Sequence, residues 1–340
     1  MATIADVAQR AGVSVSTAAR VLSGRGYAGE QTRQRVQQAA EELGYVANRV
    51  ARSLRLRYTN MVGLLIADVE NSFYSVIAKG VESICKQAGY HVVLCNSNDD
   101  PEEERRYLKV LEGIQVDGLI ITPTSYNRRL LDRLRQKGMV IVQIDRRVDG
   151  LQSDAILVDN EAGAAQAVAH LIAAGHTRIG ILTGPLDVTT GGDRLRGYER
   201  ALAEHGIERH ESLIRTGSFR RDHAIQDAKE LIEAEPRPSA IFAANNILAE
   251  ACLLALAECG LKVPRDVSVV AFDDTAWMSM INPPVTTVRQ PTPDMAHSGA
   301  ELLLRRLRNP SAAPPATMVF HTELVVRGSV APVTRAKALS

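Results

Sequence analysis

Three side chains near the amino terminus are suited to reading the bases of DNA. Val15, Ser16 and Arg20 fall early in a short helical pattern, on the side away from its apolar residues. Arginine donates two hydrogen bonds to the edge of guanine, whereas valine and serine suit methyl groups and mixed contacts in the major groove. This combination predicts sequence-specific contact with base edges.

Two short helices joined by a tight turn must hold these side chains. Thr3 can cap the first helix, with Asp6 three residues later as its capping-box partner, and Gly12 permits the left-handed turn that ends it. Ser14 can then cap a second helix that runs to about residue 22. The spacing predicts a helix-turn-helix that lays its second helix in a DNA major groove. An ordinary helical hairpin has the same spacing, so the geometry alone leaves both open.

A third helix is predicted over residues 30–43, with Gly44 at its end. Three helices suffice for a small DNA-binding headpiece. The predicted apolar face of this headpiece consists of Ile4, Val7, Ala8, Ala11, Ala18, Val21, Leu22, Val36, Ala39, Ala40 and Leu43. Residues 48–55 could form two turns of helix, but they contain too little apolar surface to stay folded alone.

Charge supports a nucleic-acid partner for this part of the chain. The first 60 of the 340 residues contain nine arginines and four acidic residues, a formal charge of +5, whereas the remaining 280 carry −4. All nine cations are arginine, the side chain whose shape best fits phosphate and guanine. A basic head on a mildly acidic body indicates a nucleic-acid module attached to a second function.

The pattern of hydrophobic residues changes at Met61. Short apolar runs alternate with helical patterns, which predicts parallel strands covered by helices on both faces. Two successive sets of runs predict two doubly wound α/β subdomains with a cleft between them. The predicted strands are residues 61–67, 91–96, 118–122, 140–144, 179–183, 212–216, 240–243 and 267–272.

Ligands of such sheets bind beyond the carboxyl ends of the strands. The polar residues that follow the predicted strands are therefore candidates for a binding site: Asp68, Asn71, Thr122, Asp145, Arg146, Asn245 and Asp273. The motifs of phosphate loops, dinucleotide sites and serine hydrolases do not occur in the sequence. Asp273 and Asp274 are adjacent, so on extended chain they would point in opposite directions and would not share a site.

The amino-acid composition restricts the class of protein further. Charged residues make up 23% and hydrophobic residues 45% of the chain, which is typical of soluble globular proteins, and no apolar run is long enough to span a bilayer. The amino terminus does not have the pattern of a signal peptide, so we expect a cytoplasmic protein. Cys85, Cys95, Cys252 and Cys259 are scattered, which indicates reduced thiols and no metal site.

These motifs resemble those of the lac repressor (LacI/GalR) family of bacterial transcription regulators, over nearly the whole chain. Residues 3–22 carry the headpiece motif, and the family pattern continues at residues 32–36, 43–54, 175–180 and 268–274. The resemblance implies a headpiece (1–47), a hinge helix and linker (48–60), an effector domain (61–330) and a tail (331–340). The effector domain divides into an N-subdomain (61–158 and 291–318) and a C-subdomain (159–288 and 319–330).

The resemblance also assigns DNA contacts. Val15, Ser16 and Arg20 occupy base-reading positions, and residues 48–56 match a hinge helix that folds only on operator DNA. Leu54 matches the leucine wedged into the central minor groove, with Ala51 beside it and Asn48 at the start of the hinge. Positions that touch phosphate and sugar are Ser14, Thr17, Ser23, Tyr27, Thr32 and Arg33. Ala19 and Gly29 replace hydroxyl residues that the family usually carries there.

The body is similar to periplasmic sugar-binding proteins, ribose-type binders most closely. The resemblance therefore implies a small carbohydrate effector, a ribose-like monosaccharide or a related sugar, held by aromatic faces and paired polar groups. The implied effector-binding residues are Asn71, Phe73, Tyr74, Thr122, Asp145, Arg146, Arg194, Phe219, Asn245, Asp273 and Gln290. Thr122 replaces the Asn of many ribose binders, and Asn246 replaces a common Asp.

The sequence thus predicts a cytoplasmic homodimer that binds palindromic operator DNA and responds to a sugar, with no cofactor and no membrane partner. The short tail after residue 330 has no leucine heptad, which favours a dimer over the family's tetramers. Two alternatives stay open. A transport-type sugar receptor would leave the headpiece unexplained, and a doubly wound enzyme would require a phosphate loop or an acid/base pair.

Overall fold

The computed structural model describes residues 2–23, 27–45, 59–309 and 313–333. The chain forms two compact units, Met1–Thr59 and Asn60–Ser340. In the part of the chain that the structure describes, the first unit contains three helices, and the second contains two six-stranded sheets with helices on their faces. Among the described residues, no helix is long and apolar enough to cross a membrane.

The first unit consists of α1 (Ile4–Ala11), α2 (Val15–Ser23) and α3 (Glu30–Glu42). The predicted capping box is confirmed, because the Thr3 hydroxyl accepts from the Asp6 amide at 3.3 Å and the Thr3 amide donates to the Asp6 carboxylate at 2.7 Å. Gly12 ends α1 with φ of +64°, as its position predicts. The turn therefore has the helix-turn-helix form.

The core of this unit is small and mostly alanine and valine. Its buried members are Val7, Ala8, Ala11, Ala18, Val36 and Ala39. Leu43 was expected in the same face, but its side chain is 36% exposed. Leu43 is the C-cap residue of α3, which ends at Glu42, so it lies at the edge of this small core. Gly29 precedes α3 and provides no side-chain cap, which agrees with the sequence.

The first sheet of the second unit has the order β11-β5-β4-β3-β1-β2, with all neighbours parallel. Its strands are β1 (Met61–Ile66), β2 (His91–Asn96), β3 (Gly118–Ile121), β4 (Val140–Ile144), β5 (Asp154–Val158) and β11 (Thr317–Phe320). Its helices are α4 (Ser72–Gln87), α5 (Pro101–Gly113), α6 (Arg128–Gln136) and α12 (Thr292–Arg308).

The second sheet has the order β12-β10-β9-β8-β6-β7. Its strands are β6 (Ile179–Thr183), β7 (Ile214–Thr216), β8 (Ala240–Ala243), β9 (Ser268–Phe272), β10 (Thr286–Arg289) and β12 (Glu323–Val325). Only β12 runs antiparallel to its neighbour among these described strands. Its helices are α7 (Asn160–Ala173), α8 (Thr189–Glu204), α9 (Arg221–Ile232), α10 (Asn246–Glu258) and the short α11 (Ala276–Met280).

Alternate strand residues build the core on each face of the first sheet. Leu64 and Ile120 pack with α4 and α12, whereas Leu65 and Ile121 pack with α5 and α6. This is the period-two burial of a sheet covered on both sides. The predicted fold class, a helix-turn-helix headpiece with two doubly wound sheets, is confirmed.

Six strands differ from the sequence prediction. The strand predicted over 212–216 begins with a 3₁₀ turn at Glu211–Leu213, and only Ile214–Thr216 pairs in the sheet. The β2 strand is an edge strand with Leu94 47% exposed, so it is not buried on both faces. The sequence did not predict β5, β10, β11 and β12. The last two have only four and three residues, which is too few for a recognisable strand pattern.

The chain crosses between the two sheets three times. It passes from β5 to α7, from β10 to α12, and from β11 to β12. Three short connecting segments therefore join the two halves of the second unit. The carboxyl ends of the parallel strands of both halves consequently border a common cleft.

Candidate functional site

The exposed side of α2 carries the three predicted base-reading residues. Val15 is 49% exposed, and Ser16 and Arg20 are also exposed. The Ser14 hydroxyl accepts a 3.2 Å hydrogen bond from the Thr17 amide and so caps the helix. The unit thus presents the exposed side of a short helix, whose size fits a major groove.

The other predicted DNA contacts lie beside this helix or outside the described residues. Tyr27 is 92% exposed and Arg33 is exposed, whereas Thr17 and Thr32 are partly buried. Ser23 is the last residue of α2. Asn48, Ala51 and Leu54, the predicted hinge contacts, lie outside the described residues.

Two aspartates occupy equivalent positions in the two halves of the second unit. Asp145 follows β4 and Asp273 follows β9, each directly after the last strand residue. Both have left-handed backbone conformations, with φ of +68° and +71°. Aspartate tolerates this region better than most residues, but the conformation is still strained and is typical of functional positions.

A buried network of charged groups surrounds Asp145. The Tyr74 hydroxyl donates a 3.1 Å hydrogen bond to it, and Arg146 makes a two-pronged ion pair with Asp99. Burial raises the pKa of the Asp145 carboxyl, although Arg146 and Arg194 oppose that shift. Burial also raises the pKa of Tyr74, which therefore stays protonated as a donor.

Asp273 is held from its own half of the unit. The Gln290 side-chain amide donates to one carboxylate oxygen at 2.6 Å, and the Asn246 backbone amide donates to the other at 3.3 Å. The Asn246 side chain reaches across the cleft and donates to Asn71 Oδ1 at 3.0 Å. Asn71 in turn caps α4, and Asn245 caps α10, so both helix starts are fixed at the cleft.

Arg194 is buried between the second sheet and the cleft. Its Nε donates to Asn160 at 2.8 Å, its Nη1 donates to the Ala244 carbonyl at 2.6 Å, and its guanidinium carbon lies 3.8 Å from the centre of the Phe272 ring. Burial lowers the pKa of Arg194, while Asp273 and Asp145 raise it. These contacts fix one face of the guanidinium and direct the remainder toward the cleft.

Aromatic side chains form the apolar walls. Phe73 and Tyr74 pack edge to face, with ring centres 5.0 Å apart. Phe219 faces Arg146, whose guanidinium carbon lies 5.3 Å from the ring centre. The Phe219 ring lies directly on Gly184, where a β-carbon would come within 2.1 Å of the ring. A glycine at position 184 is therefore needed for this aromatic wall.

Two adjoining cavities occupy the cleft. The inner chamber has a volume of about 20 Å³, and the outer cavity has about 480 Å³. They share Asn71, Tyr74, Arg146, Phe219 and Asn245 as lining residues. Of the eleven predicted effector-binding residues, ten line the inner chamber. The remaining one, Thr122, is buried with 1% exposure and does not lie on either wall.

Thr190, which the sequence analysis missed, also lines the inner chamber. It is 2% exposed, and its hydroxyl has no hydrogen-bond partner among the described residues. The rule used for the other candidates could have found it, because the loop after β6 also ends at the cleft. Gln290 Oε1 and Arg146 Nε likewise lack hydrogen-bond partners within the described part of the chain. These three buried polar atoms are available to a ligand.

Asp274 and His176 lie in hydrogen-bonded networks of the second half. Asp274 pairs with Arg289 and Arg327, each at 2.8 Å. The two ring nitrogens of His176 contact the hydroxyls of Ser239 and Ser268. Within the residues that the structure describes, no group of three or more His, Cys, Asp or Glu side chains could hold a metal ion.

Comparison with known proteins agrees with this architecture. Residues 3–48 match the family of bacterial regulatory proteins of the lacI type, and residues 168–330 match the periplasmic binding protein-like domain. The HTH-type transcriptional repressor PurR of Aliivibrio salmonicida is 34% identical over 331 residues, which cover 97% of this chain and 99% of that protein.

Two solved structures are similar over the same length. The regulator CelR in complex with cellobiose is 33% identical with a TM-score of 0.74, covering 97% of this chain and 100% of that one. The lac repressor dimer bound to operator and the anti-inducer ONPF is 26% identical with a TM-score of 0.82, covering 97% and 99%.

A helix-turn-helix unit joined to a periplasmic-binding-protein-like body defines a DNA-binding transcriptional regulator and not an enzyme. The chain belongs to the LacI family of transcriptional repressors. Proteins of this family bind operator DNA and small-molecule effectors as dimers.

Proposed function

We propose that this repressor is controlled by a small carbohydrate that binds in the cleft of its second unit. As a cytoplasmic homodimer it reads a palindromic operator with two copies of α2, because a two-fold protein matches a two-fold site. Val15, Ser16 and Arg20 contact bases, and Ser14, Thr17, Ser23, Tyr27, Thr32 and Arg33 contact the DNA backbone. Residues 48–56 act as a hinge that folds on DNA, with Asn48 and Ala51 beside the Leu54 wedge.

The observation that carries the effector proposal is the set of side chains around the inner chamber. Carboxylates, guanidinium groups and carboxamides lie beside three aromatic rings. Paired hydroxyls of a sugar are held well by planar groups that donate and accept two bonds, and the apolar faces of a sugar ring stack on aromatic side chains. The solved structure of CelR, which contains cellobiose, provides a similar fold with a sugar bound.

Binding and DNA affinity are coupled through movement of the two halves. A ligand that contacts both Asp145 and Asp273 favours the closed cleft, since these residues belong to different halves. The half that contains the first sheet follows the hinge segment in sequence, so its movement changes the spacing of two hinges in a dimer. A coupling of about 1–3 kcal/mol is enough to change operator occupancy substantially.

Two variants, each expected to impair only one of the two binding activities, test the proposal. The full-length protein is used to select DNA from a random library, and thermal shift is measured with pentoses, hexoses, disaccharides, polyols and sugar acids. Phe219→Ala should abolish the sugar-induced shift and leave DNA affinity intact. Tyr27→Ala, at an exposed headpiece position, should weaken DNA binding and leave the sugar-induced shift intact.

DNA contact is tested separately by salt and by arginine variants. Affinity should fall about 10³-fold or more between 50 and 200 mM salt, because phosphate contacts release counterions. Arg20→Ala should relax base preference at one position of each half-site, at a cost of about 1–3 kcal/mol. Arg10→Ala is the matched control, since Arg10 pairs with Glu42 at 2.5 Å. A flat salt response, or equal effects of both variants on base preference, would contradict the DNA-reading assignment.

A further inference from the structure

The two cavities of the cleft differ widely in volume, and a single sugar ring would not fill the larger one. The inner chamber, at about 20 Å³, has room for about one water molecule. The outer cavity has about 480 Å³. At crystal-like packing a hexose occupies about 190 Å³ and a disaccharide about 360 Å³. One hexose would therefore occupy less than half of the outer cavity.

The outer cavity has its own apolar and polar surfaces. Ile247 lies on its wall, together with the Phe219 and Tyr74 rings that it shares with the inner chamber. Glu70, Asn98 and Glu250 also line it, and their oxygens can accept hydrogen bonds from hydroxyl groups. A ligand that reaches this far therefore finds both a stacking surface and hydrogen-bond partners beyond the residues of the inner chamber.

The charge of the cleft restricts the ligand further. Six carboxylates and four guanidinium groups line the two cavities, which gives a formal charge of −2. Three of the four guanidinium groups already hold protein partners: Arg146 binds Asp99, Arg221 binds Glu250 at 2.9 Å, and Arg194 binds Asn160 and the Ala244 carbonyl. Bidentate binding of phosphate or carboxylate uses guanidinium groups that protein partners do not engage, so the engaged arginines and the net charge of −2 make this cleft less favourable for an anion than for an uncharged ligand.

We propose that the effector is an uncharged carbohydrate of two rings, a disaccharide, and not the single ribose-like ring that the sequence suggests. This inference rests on the proposed function. One ring lies between Tyr74 and Phe219, with a hydroxyl reaching Thr190 and Gln290 in the inner chamber. The second ring lies toward Ile247 and Glu70 in the outer cavity.

Calorimetric titration of the full-length protein tests this with defined probes. The probes are cellobiose, maltose, lactose and sucrose, then glucose, galactose and ribose, and finally glucose 6-phosphate. We expect at least one disaccharide to bind at least tenfold more tightly than its component monosaccharides, and the sugar phosphate not to bind. Binding of a monosaccharide with equal affinity, or tighter binding of the phosphate, would overturn the inference.

A variant confined to the outer cavity locates the second ring. Ile247→Trp fills part of this space and should reduce disaccharide affinity at least tenfold while changing monosaccharide affinity less than twofold. Val110→Trp, at a half-exposed helical position on α5, is the matched control and should change neither. Ile247→Ala, which enlarges the cavity, serves if the tryptophan variant does not fold, and should weaken disaccharide binding alone.

The outcomes separate this inference from the proposed function. If no carbohydrate binds the wild-type protein, the proposed function itself fails. A second outcome is that sugars bind, that Phe219→Ala abolishes this binding, and that Ile247→Trp lowers the affinities for monosaccharides and disaccharides equally. In that case the carbohydrate effector is supported and the proposed site for the second ring is wrong.

Discussion

The side chain of Asn246 joins the two halves of the second unit across the cleft. Its Nδ2 donates to Asn71 Oδ1 at 3.0 Å, and both residues are buried, at 4% and 6% exposure. Since one partner belongs to α10 and the other caps α4, opening of the cleft must break this bond. We predict that Asn246→Ala shifts the protein toward an open cleft.

The free energy lost in Asn246→Ala depends on the hydrogen bonds that Asn71 keeps. Asn71 Oδ1 still accepts from the Phe73 amide at 3.0 Å, so the substitution leaves no buried acceptor without a donor. The loss is therefore the net value of one hydrogen bond, about 1 kcal/mol. At 25 °C this corresponds to an opening constant about fivefold larger. The affinity of an effector that prefers the closed cleft should fall by no more than the same factor.

The Arg147 amide provides a reporter for opening. It donates across the cleft to Thr189 Oγ1 at 3.3 Å, so its hydrogen exchange depends on closure. Hydrogen–deuterium exchange of the full-length protein should accelerate about fivefold at this amide in Asn246→Ala. Asn127→Ala is the matched control, because Asn127 is also buried and its side-chain amide donates to Pro101 and Glu104 within its own half.

Two results would refute this reasoning. Unchanged exchange at Arg147 would mean that the bond between Asn246 and Asn71 does not hold the cleft closed. A loss of effector affinity above 100-fold would mean that Asn246 contacts the ligand directly, since closure can account for only about fivefold.

Three further predictions concern stability. Burial raises the pKa of the Asp145 carboxyl above its usual 3.8, so the ionised carboxylate destabilises the folded state above that pH, and this cost disappears in acid. Asp145→Asn should therefore raise the unfolding free energy by about 0.5–2 kcal/mol at pH 7 and leave it unchanged near pH 3. Thermal unfolding at the two pH values measures the difference. Gly197→Ala should cost about 2 kcal/mol, because its β-carbon would lie 2.3 Å from the Glu161 carbonyl, whereas Gly113→Ala, with open space around it, should be neutral or stabilising. Tyr198→Phe should cost about 1 kcal/mol in a denaturant titration, because it removes a 2.8 Å bond to a β6 carbonyl.

Much of the site follows from one physical rule. In parallel sheets the residue after each strand lies at the same edge, so Asp145, Asn245 and Asp273 could be placed at the cleft from the positions of the apolar runs. The rule fails at Thr122. This residue directly follows β3 and is buried, but it lines neither cavity.

Other features depend on tertiary structure and have no local signal. Asn246 was recognised only as a departure from a pattern, yet its side chain makes the buried bond across the cleft. The ion pair between Arg146 and Asp99 joins residues 47 positions apart, and nothing in either segment predicts it. The strand β11 pairs with β5 at the edge of the first sheet, although its own residues are mostly exposed.

The left-handed backbone at Asp145 and Asp273 restricts how this cleft can change its ligand. Asparagine and glycine are the other residues that adopt φ near +70° at low cost. Each aspartate can therefore become asparagine with the backbone unchanged and one negative charge removed. Two such exchanges would bring the formal charge of the cleft lining from −2 to zero, which removes the net charge that opposes an anionic ligand without any repacking of the core.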